Sequence, residues 1–196
     1  MSMLRIGALI LAAGGSSRMG TPKPLLHFRD DNFINTLVHT ASLVELNPII
    51  VVTGFMSEIV AASITPVDGL IVVQNENWQE GQGSSIATGT RAIPDDIDAM
   101  IIMLVDQPGI TTGLLSVLIT TYQDSQKPIV ITRVGELLTP PTLMDKVCFP
   151  ALLNLKGDEG ARKLLSLFDY QECNWQEDNS LKDVDTPDEY QALIQD

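Results

Sequence analysis

A segment near the amino terminus combines small residues, hydroxyl side chains and cations directly after an apolar run: LAAGGSSRMGTPKPLL, residues 11–26. Glycine lets backbone N–H groups approach an anion with no Cβ in the way, serine adds hydroxyl donors, and arginine and lysine add positive charge. The residues that bring these groups are Gly14, Gly15, Ser16, Ser17, Arg18, Gly20 and Lys23. The sequence therefore predicts a loop that binds a polyphosphate; the alternative is a glycine turn with solvated charges.

The distribution of charge also favours an anionic ligand at this segment. The 196-residue chain has 12 Lys and Arg against 25 Asp and Glu, a formal net charge of -13. Its first 29 residues nevertheless contain Arg5, Arg18, Lys23 and Arg29 and no acidic residue. A nearby carboxylate would repel a phosphate, whereas distant ones are screened beyond roughly 8 Å at physiological salt. The overall negative charge argues against nucleic acid or an acidic membrane as a partner.

Two acidic sites have the residue types of a metal centre. Asp106 ends the apolar run AMIIMLV of residues 99–105, and Pro108 turns the chain away. Asp183 and Asp185 alternate in LKDVDTPDEY, so their side chains point to the same side of an extended segment. Carboxylates that face a phosphate loop hold Mg²⁺ between protein and substrate. The alternatives are a turn-forming aspartate before proline and an acidic segment that interacts with a helix dipole.

Two further segments have features of a binding site. WQEGQGSSIATG, residues 78–89, places Gly83 and Ser84 at a predicted helix start, which is a geometry that accommodates anions but is also an ordinary cap. LKGDEGARKLL, residues 155–165, contains Asp158 and Arg162. By their chemistry alone these two residues are equally well explained as a helix cap and a surface charge.

The remaining reactive or aromatic side chains give no sign of a site. Cys148 and Cys173 belong to no C-x-x-C pair, which indicates inert thiols in a reduced, cytoplasmic protein. The apolar run at residues 6–13 is short for a signal peptide and suits a buried strand, and no stretch approaches the roughly 18 apolar residues of a membrane span. Four residues are interpreted as packing or surface residues: His27, His39, Trp78 and Trp175.

Short apolar runs alternate with helix-like segments, which predicts βαβ units on a mainly parallel sheet within one domain, residues 1–196. Strands are predicted at 5–12, 48–53, 70–74, 99–105 and 128–132, and helices at 33–46, 57–63, 84–93, 112–122, 158–168 and 187–194. Residues 135–154 are predicted to form a loop or β-arm over the site, because TPPT disfavours regular structure. Since ligands of open α/β sheets lie beyond the carboxyl ends of the strands, the polar segments should meet there.

Taken in order, these motifs resemble the nucleotidyltransferase family that includes the molybdenum cofactor cytidylyltransferases. Residues 11–26 are similar to its signature L-A-A-G-x-S-S-R-M-G-x-x-K-x-L-L, and D-Q-P at 106–108 is similar to its metal-binding motif. The family patterns D-x-D-T-P-x-D/E-Y, G-x-G-x-S and G-D-x-G-A-R also have counterparts here. The chain departs from the family where a G-H-P or G-x-P turn is usual, since it has GELLTPPTLM at 135–144.

The resemblance implies an α/β fold, specifically a three-layer, Rossmann-like nucleotidyltransferase fold with a mainly parallel central sheet. It implies an Mg²⁺-dependent enzyme that transfers CMP from CTP to the terminal phosphate of the molybdopterin-bound molybdenum cofactor and releases pyrophosphate. CTP is favoured over GTP because A-A-G resembles the cytidylyl branch. A molybdoenzyme or its chaperone is an implied partner. A phosphate monoester is largely ionised at neutral pH, with a second pKa near about 6, so no catalytic base is required.

The resemblance also assigns roles to individual residues. Those implied to be catalytic are Arg18, Lys23 and Asp106. Those implied to bind the nucleotide are Leu11, Ala12, Ala13, Gly14, Gly15, Ser16, Ser17, Arg18, Lys23, Gly83 and Ser84. The metal ligands are Asp106 and Asp185, with Asp183 as second choice, and the acceptor side has Asp158 and Arg162. Two alternatives are a nucleotidyltransferase for a sugar or alcohol phosphate and a non-catalytic nucleotide-binding domain.

Overall fold

A computed structural model describes residues 4–15, 19–176 and 181–195 of the chain. Within these residues the strands, in chain order, are β1 (Ile6–Ala12), β2 (His27–Phe28), β3 (Asp31–Asn32), β4 (Ile49–Thr53), β5 (Leu70–Gln74), β6 (Ala99–Leu104), β7 (Ile129–Val134), β8 (Leu137–Asp145) and β9 (Tyr170–Trp175). The helices are α1 (Phe33–Leu43), α2 (Ser57–Ser63), α3 (Gln82–Arg91), α4 (Thr112–Ser125), α5 (Phe149–Leu152) and α6 (Pro187–Gln195). Each helix of the described residues is too short or too polar to cross a bilayer.

Seven strands form the central sheet in the order β5-β4-β1-β6-β8-β7-β9, and β2 pairs with β3 in a separate hairpin. All pairs in the central sheet are parallel except those of β8, which runs antiparallel to both β6 and β7. Every residue of β1 and β4 is buried, as a parallel strand covered on both faces requires. The predicted α/β class with a mainly parallel central sheet is confirmed.

Helices cover both faces of the sheet and give three layers. Successive side chains of a strand point to opposite faces, so Ile10 and Leu9 of β1 enter different apolar cores. The core that contains Ile10 includes residues of α1 and α4, whereas the core that contains Leu9 includes Ile86 of α3 and Leu152 of α5. The strand β1 therefore lies between two helical layers and is fixed by both.

The predicted segment 135–154 is the main error in the expected fold, because β8 is a strand inside the sheet rather than a loop or arm. Ile131 pairs with Thr142 while Thr132 pairs with Thr139, so Pro140 and the residue after it are skipped by the ladder in a bulge. A bulge accommodates proline because no ladder N–H is needed there. TPPT therefore marks an irregularity within a strand and not the end of regular structure.

Two longer elements also differ from expectation. The helix predicted at 158–168 is wrong, since this segment contains only a 3-10 helix, Ala161–Ser166. Gly160 precedes it and lies close to the side chain of Gln82, because a Cβ there would be 2.7 Å from Oε1. The strand β9 was not predicted, because Cys173 is its one buried residue and its sequence YQECNW lacks an apolar run. The five strands that were predicted are confirmed, with ends within two residues.

Candidate active site

A cleft of about 410 Å³ lies at the carboxyl ends of β1 and β6. The chain goes from β1 to β4 and β5 on one side of the sheet order and then crosses to β6 on the other side. The connections diverge at this point and leave a crevice between them, which is the usual place for a ligand in an open α/β sheet. The sequence-predicted residues that line the cleft are Leu11, Ala13, Gly14, Gly15, Lys23, Asp106, Asp158 and Asp185.

The ammonium group of Lys23 joins the two predicted metal carboxylates. Its Nζ donates to Oδ1 of Asp185 at 2.6 Å and to Oδ2 of Asp106 at 3.0 Å, and its side chain is only 12% exposed. Burial by itself would lower the pKa of Lys23, but the two carboxylates outweigh it, and the pKa is raised above its ordinary value. Lys23 therefore stays charged throughout the neutral pH range.

The start of α6 fixes the backbone at Asp185. A carboxylate oxygen of Glu189 accepts from the N–H groups of Asp185 and Thr186, both at 2.8 Å, and the N–H of Glu189 donates to Oγ1 of Thr186 at 3.3 Å. This is the capping box that the sequence TPDE favours. In addition, Val184 N donates to the carbonyl of Asp106 at 2.9 Å. Asp106 and Asp185 are distant in sequence, and this link holds their segments together.

The carboxylates fit a divalent cation that is shared with a phosphate ligand. Asp106 Oδ1 is buried and has no hydrogen-bond partner among the described residues, while its other oxygen and Asp185 already accept from one cation. The described residues contain no group of three or more His, Cys, Asp or Glu that could hold a metal. Mg²⁺ is commonly held by one or two carboxylates together with substrate phosphates and waters. The donor set therefore suits Mg²⁺ bound with a nucleotide rather than a closed protein cage.

A second cavity of about 350 Å³ adjoins the cleft and shares Leu11, Gln82, Leu104 and Asp158 with it. Arg162 and Asp183 also line this cavity. Arg162 Nη1 donates to the carbonyl of Leu138 at 2.9 Å, which orients the guanidinium. The structure thus places the two predicted acceptor-side residues, Asp158 and Arg162, beside the cleft that contains Lys23.

Some predicted nucleotide-binding residues lie outside the cleft lining. Ala12 is buried within β1, and the N–H of Gly83 donates to the carbonyl of Gly157 at 2.9 Å. The hydroxyl of Ser84 is within 3.0 Å of the carbonyls of Asn77 and Gly81, so it stabilises the turn before α3. Three predicted residues lie outside the described residues: Ser16, Ser17 and Arg18.

Sequence reasoning missed Trp78, which was interpreted as a packing residue. Its indole packs edge-on against Phe55 with ring centroids 5.6 Å apart, and it also lines the cleft. A Cβ on Gly15 would lie 2.9 Å from Cζ3 of this indole, so the glycine is needed for the close approach of the loop. Gly81, at φ 108°, then turns the chain into α3. A lone tryptophan in a sequence is more often a packing residue, and its place at the start of WQEGQGSSIATG is the one signal that could have found it.

Asp183 carries an energetic cost in the unliganded protein. Burial is the main cause that raises the pKa of Asp183 above its ordinary value, the charges of Asp106 and Asp185 raise it further, and a hydrogen bond from Gln107 opposes them. Because the folded chain binds this proton more tightly than the unfolded chain, ionisation of Asp183 destabilises the fold. The cost is absent below the unfolded pKa, near about 3.9, and is fully present above the folded pKa.

Replacing Asp183 by Asn should therefore stabilise the unliganded protein at neutral pH. Asparagine has the same shape and still accepts the hydrogen bond that Gln107 Nε2 donates to Oδ1 at 2.9 Å. Unfolding temperatures measured in metal-free buffer between about pH 4 and pH 8 should show a difference from the wild type that grows as pH rises. A variant no more stable than the wild type at the upper end would contradict the raised pKa.

The chain resembles several known proteins over nearly all of its length. It is 31% identical to the purine catabolism protein PucB of Bacillus subtilis (strain 168) over 197 aligned residues, which cover 94% of each chain. It is 27% identical to nicotine blue oxidoreductase of Paenarthrobacter nicotinovorans, over 96% of each chain. It is 22% identical to molybdenum cofactor cytidylyltransferase of Escherichia coli (strain K12), over 96% of this chain and 95% of that one.

Solved structures show the same architecture. The structure of Rv0371c from Mycobacterium tuberculosis H37Rv superposes with a TM-score of 0.86 at 26% identity and full coverage of both chains, and its manganese complex superposes with 0.80 at 25% identity, over 97% of this chain and 98% of that one. A nucleotidyl transferase from Methanothermobacter thermautotroptrophicus superposes with a TM-score of 0.81 at 20% identity, over 97% of this chain and 96% of that one. At this identity the similarity supports the fold alone. The predicted Rossmann-like nucleotidyltransferase fold is confirmed.

The family assignment follows from the extent of these matches. The model of the MobA-like NTP transferase domain matches residues 8–175, a range that begins in β1 and ends with β9. The matched range contains Lys23 and Asp106, and Asp185 joins them from the segment just beyond it. The chain belongs to the MobA-like NTP transferase family.

Proposed function

We propose that this nucleotidyltransferase is an Mg²⁺-dependent cytidylyltransferase that transfers CMP from CTP to the terminal phosphate of a molybdopterin-bound molybdenum cofactor. The observation that carries the proposal is the ion-paired cluster of Lys23 with Asp106 and Asp185, at the end of a glycine loop and beside a second cavity. Such a cluster supplies both signs of charge that a triphosphate and its metal need. One domain, residues 1–196, is proposed to carry the whole reaction.

The triphosphate binds at the loop that follows β1. Gly14 and Gly15 line the cleft there, so their backbone can approach the phosphates, and Lys23 supplies positive charge at the base. Ser16, Ser17 and Arg18 are assigned the same role because they continue this loop in the sequence. Arginine suits a phosphate because its planar guanidinium donates two parallel hydrogen bonds.

Asp106 and Asp185 are the residues that would hold Mg²⁺. When bound, Mg²⁺ would neutralise the charge of the phosphates and withdraw electron density from the leaving group. Two of the carboxylate oxygens that the ion would use, Asp106 Oδ2 and Asp185 Oδ1, now accept from Lys23, whereas Asp106 Oδ1 has no hydrogen-bond partner among the described residues. When these oxygens coordinate an ion, the ammonium group of Lys23 can therefore bind the triphosphate instead. The carboxylates and the lysine thus have separate tasks, which are to bind the metal and to bind the nucleotide.

The acceptor phosphate is assigned to the second cavity. Arg162 lines it, and its guanidinium is oriented by the carbonyl of Leu138, so positive charge is available for a phosphate ester. Since the nucleophile is already ionised at neutral pH, the residues need only hold two anions in line for attack on the α-phosphorus. Asp158 lies where the two cavities meet and is proposed to contact the acceptor.

The test is Mg²⁺-dependent pyrophosphate release with CTP, GTP, ATP and UTP, each with and without molybdopterin cofactor as acceptor. We expect release with CTP only when the acceptor and Mg²⁺ are both present. Pyrophosphate release that requires a sugar phosphate or alcohol phosphate instead would show that the acceptor belongs to that class. Metal-dependent heat stabilisation by CTP with no pyrophosphate release under any condition would indicate a non-catalytic binding domain.

A further inference from the structure

We propose that Gln107 is a positioning residue. Its hydrogen bonds to the segment 181–185 fix the position of the carboxylates of that segment relative to Asp106. This role presupposes the nucleotidyltransferase function proposed above, since Asp106 and Asp185 are the carboxylates assigned to the metal. Gln107 directly follows Asp106 in the chain and touches neither the cleft nor the second cavity in the described structure. Its effect on the reaction must therefore pass through the residues that it binds.

The side-chain amide of Gln107 connects segments that are distant in sequence. Its Nε2 lies 2.9 Å from Oδ1 of Asp183, 3.0 Å from Oγ1 of Thr139 and 3.2 Å from the carbonyl of Leu181. Thr139 belongs to β8, whereas Leu181 and Asp183 lie just before α6. One fully buried amide thus links the carboxyl end of β6, the strand β8 and the carboxyl-terminal segment.

The hydrogen bonds of Gln107 are one of two sets of contacts that hold the segment 181–185 in place. Leu181 and Val184 are anchored in an apolar core, and Val184 N donates to the carbonyl of Asp106 at 2.9 Å. These contacts hold one side of the extended segment, and Gln107 holds its polar side through Asp183. Since Asp185 is only two residues from Asp183, fixing residue 183 also restricts the backbone that carries Asp185. The amide therefore sets the spacing between Asp185 and Asp106.

If the only role of Gln107 were to stabilise the fold, a polar side chain would be a poor choice at this position. Its Oε1 is buried and has no hydrogen-bond partner among the described residues, although the residue itself is 0% exposed. A buried carbonyl without a hydrogen-bond partner lowers the stability of the fold, whereas an apolar side chain of similar shape would avoid that loss. Native proteins keep few such groups, so a retained one calls for a specific explanation. Control of the carboxylates supplies that explanation.

Replacing Gln107 by Met tests the role, because methionine has a similar shape and no donor. We expect the Mg²⁺ concentration for half-maximal pyrophosphate release to rise by about 10- to 100-fold, the usual range when an outer residue that supports a metal site is removed. At saturating Mg²⁺, kcat should recover most of its wild-type value. Binding of Mn²⁺, measured by electron paramagnetic resonance in the presence of CTP and independently of turnover, should weaken by a similar factor.

The matched control is Tyr122→Phe, which removes a partly buried hydrogen bond, the one from Tyr122 to Asp145, at the opposite end of β6 from the cleft. It should lower the unfolding temperature and leave the Mg²⁺ requirement unchanged. If Gln107→Met does not fold, Gln107→Asn, which keeps the amide but is shorter, is measured in the same way. An unchanged metal requirement and Mn²⁺ affinity in a folded variant would overturn the role, even if the wild type transfers nucleotide. A wild type that binds Mn²⁺ more tightly than the variant but transfers no nucleotide would instead overturn the proposed function.

Discussion

Replacing Asp106 by Asn should lower kcat for pyrophosphate release by roughly a thousandfold or more and leave the fold intact. Stabilisation of charge by a metal ion contributes several kcal/mol to a reaction, and each ~1.4 kcal/mol is a factor of ten in rate. Asparagine fills the same volume, so the side chain still reaches Lys23, but the charge that binds the cation is lost. The unfolding temperature should therefore change far less than the rate.

The control for this variant is Asp98→Asn, at the opposite end of the same strand. Asp98 directly precedes β6 and pairs with Lys146 at an exposed position, whereas Asp106 follows β6 and lies in the cleft. Both substitutions remove one negative charge and one ion pair. We expect the Asp98 variant to keep wild-type kinetics, because exposed ion pairs contribute little. Wild-type rates for Asp106→Asn as well would refute its metal role.

The sequence predicts those parts of the fold that depend on apolar runs. The residues of β1, β4 and β6 read as strands because a parallel strand covered on both faces must be apolar along its length. The same rule fails for β9, whose exposed, polar residues leave no periodic signal. It also fails for β8, where the pairing of Thr132 with Thr139 beside a bulge depends on neighbours that the sequence does not reveal.

The candidate site divides in a similar way. Lys23, Asp106 and Asp185 could be selected from the sequence because each belongs to a motif of recognisable spelling. Their mutual ion pairs could not, since Lys23 is separated from Asp106 by 83 positions and from Asp185 by 162, and only the folded sheet brings them together. Gln107 lies within D-Q-P and Trp78 begins WQEGQGSSIATG, but their roles were missed because the partners of a single buried amide or aromatic ring are known only from the fold.

The metal, the nucleotide and Lys23 should prove to be thermodynamically coupled, and replacing Lys23 by Met exposes that coupling. Without nucleotide, the variant leaves Asp106 and Asp185 with no shared ammonium group, so its unfolding temperature should fall. Added Mg²⁺ alone should then stabilise the variant more than the wild type, because the ion no longer competes with an internal cation. In turnover the variant should nevertheless lose roughly 100- to 1,000-fold in kcat, since the charge that stabilises the phosphates in the transition state is missing.

The control is Lys127→Met, which removes a cation of the same length from an exposed pair with Asp169. This substitution should leave both the Mg²⁺ response and the rate as in the wild type, since neither residue lies near the cleft. Two measurements decide the assignment of Lys23: thermal unfolding of the nucleotide-free proteins over a range of Mg²⁺ concentrations, and steady-state kinetics with the triphosphate. Wild-type kinetics in the Lys23→Met protein would show that Lys23 is only a structural partner of the two carboxylates. A slow variant whose response to Mg²⁺ equals that of the wild type would instead show that Lys23 binds the nucleotide but does not compete with the metal. The two effects can be separated in this way because the first is measured with nucleotide bound and the second without it.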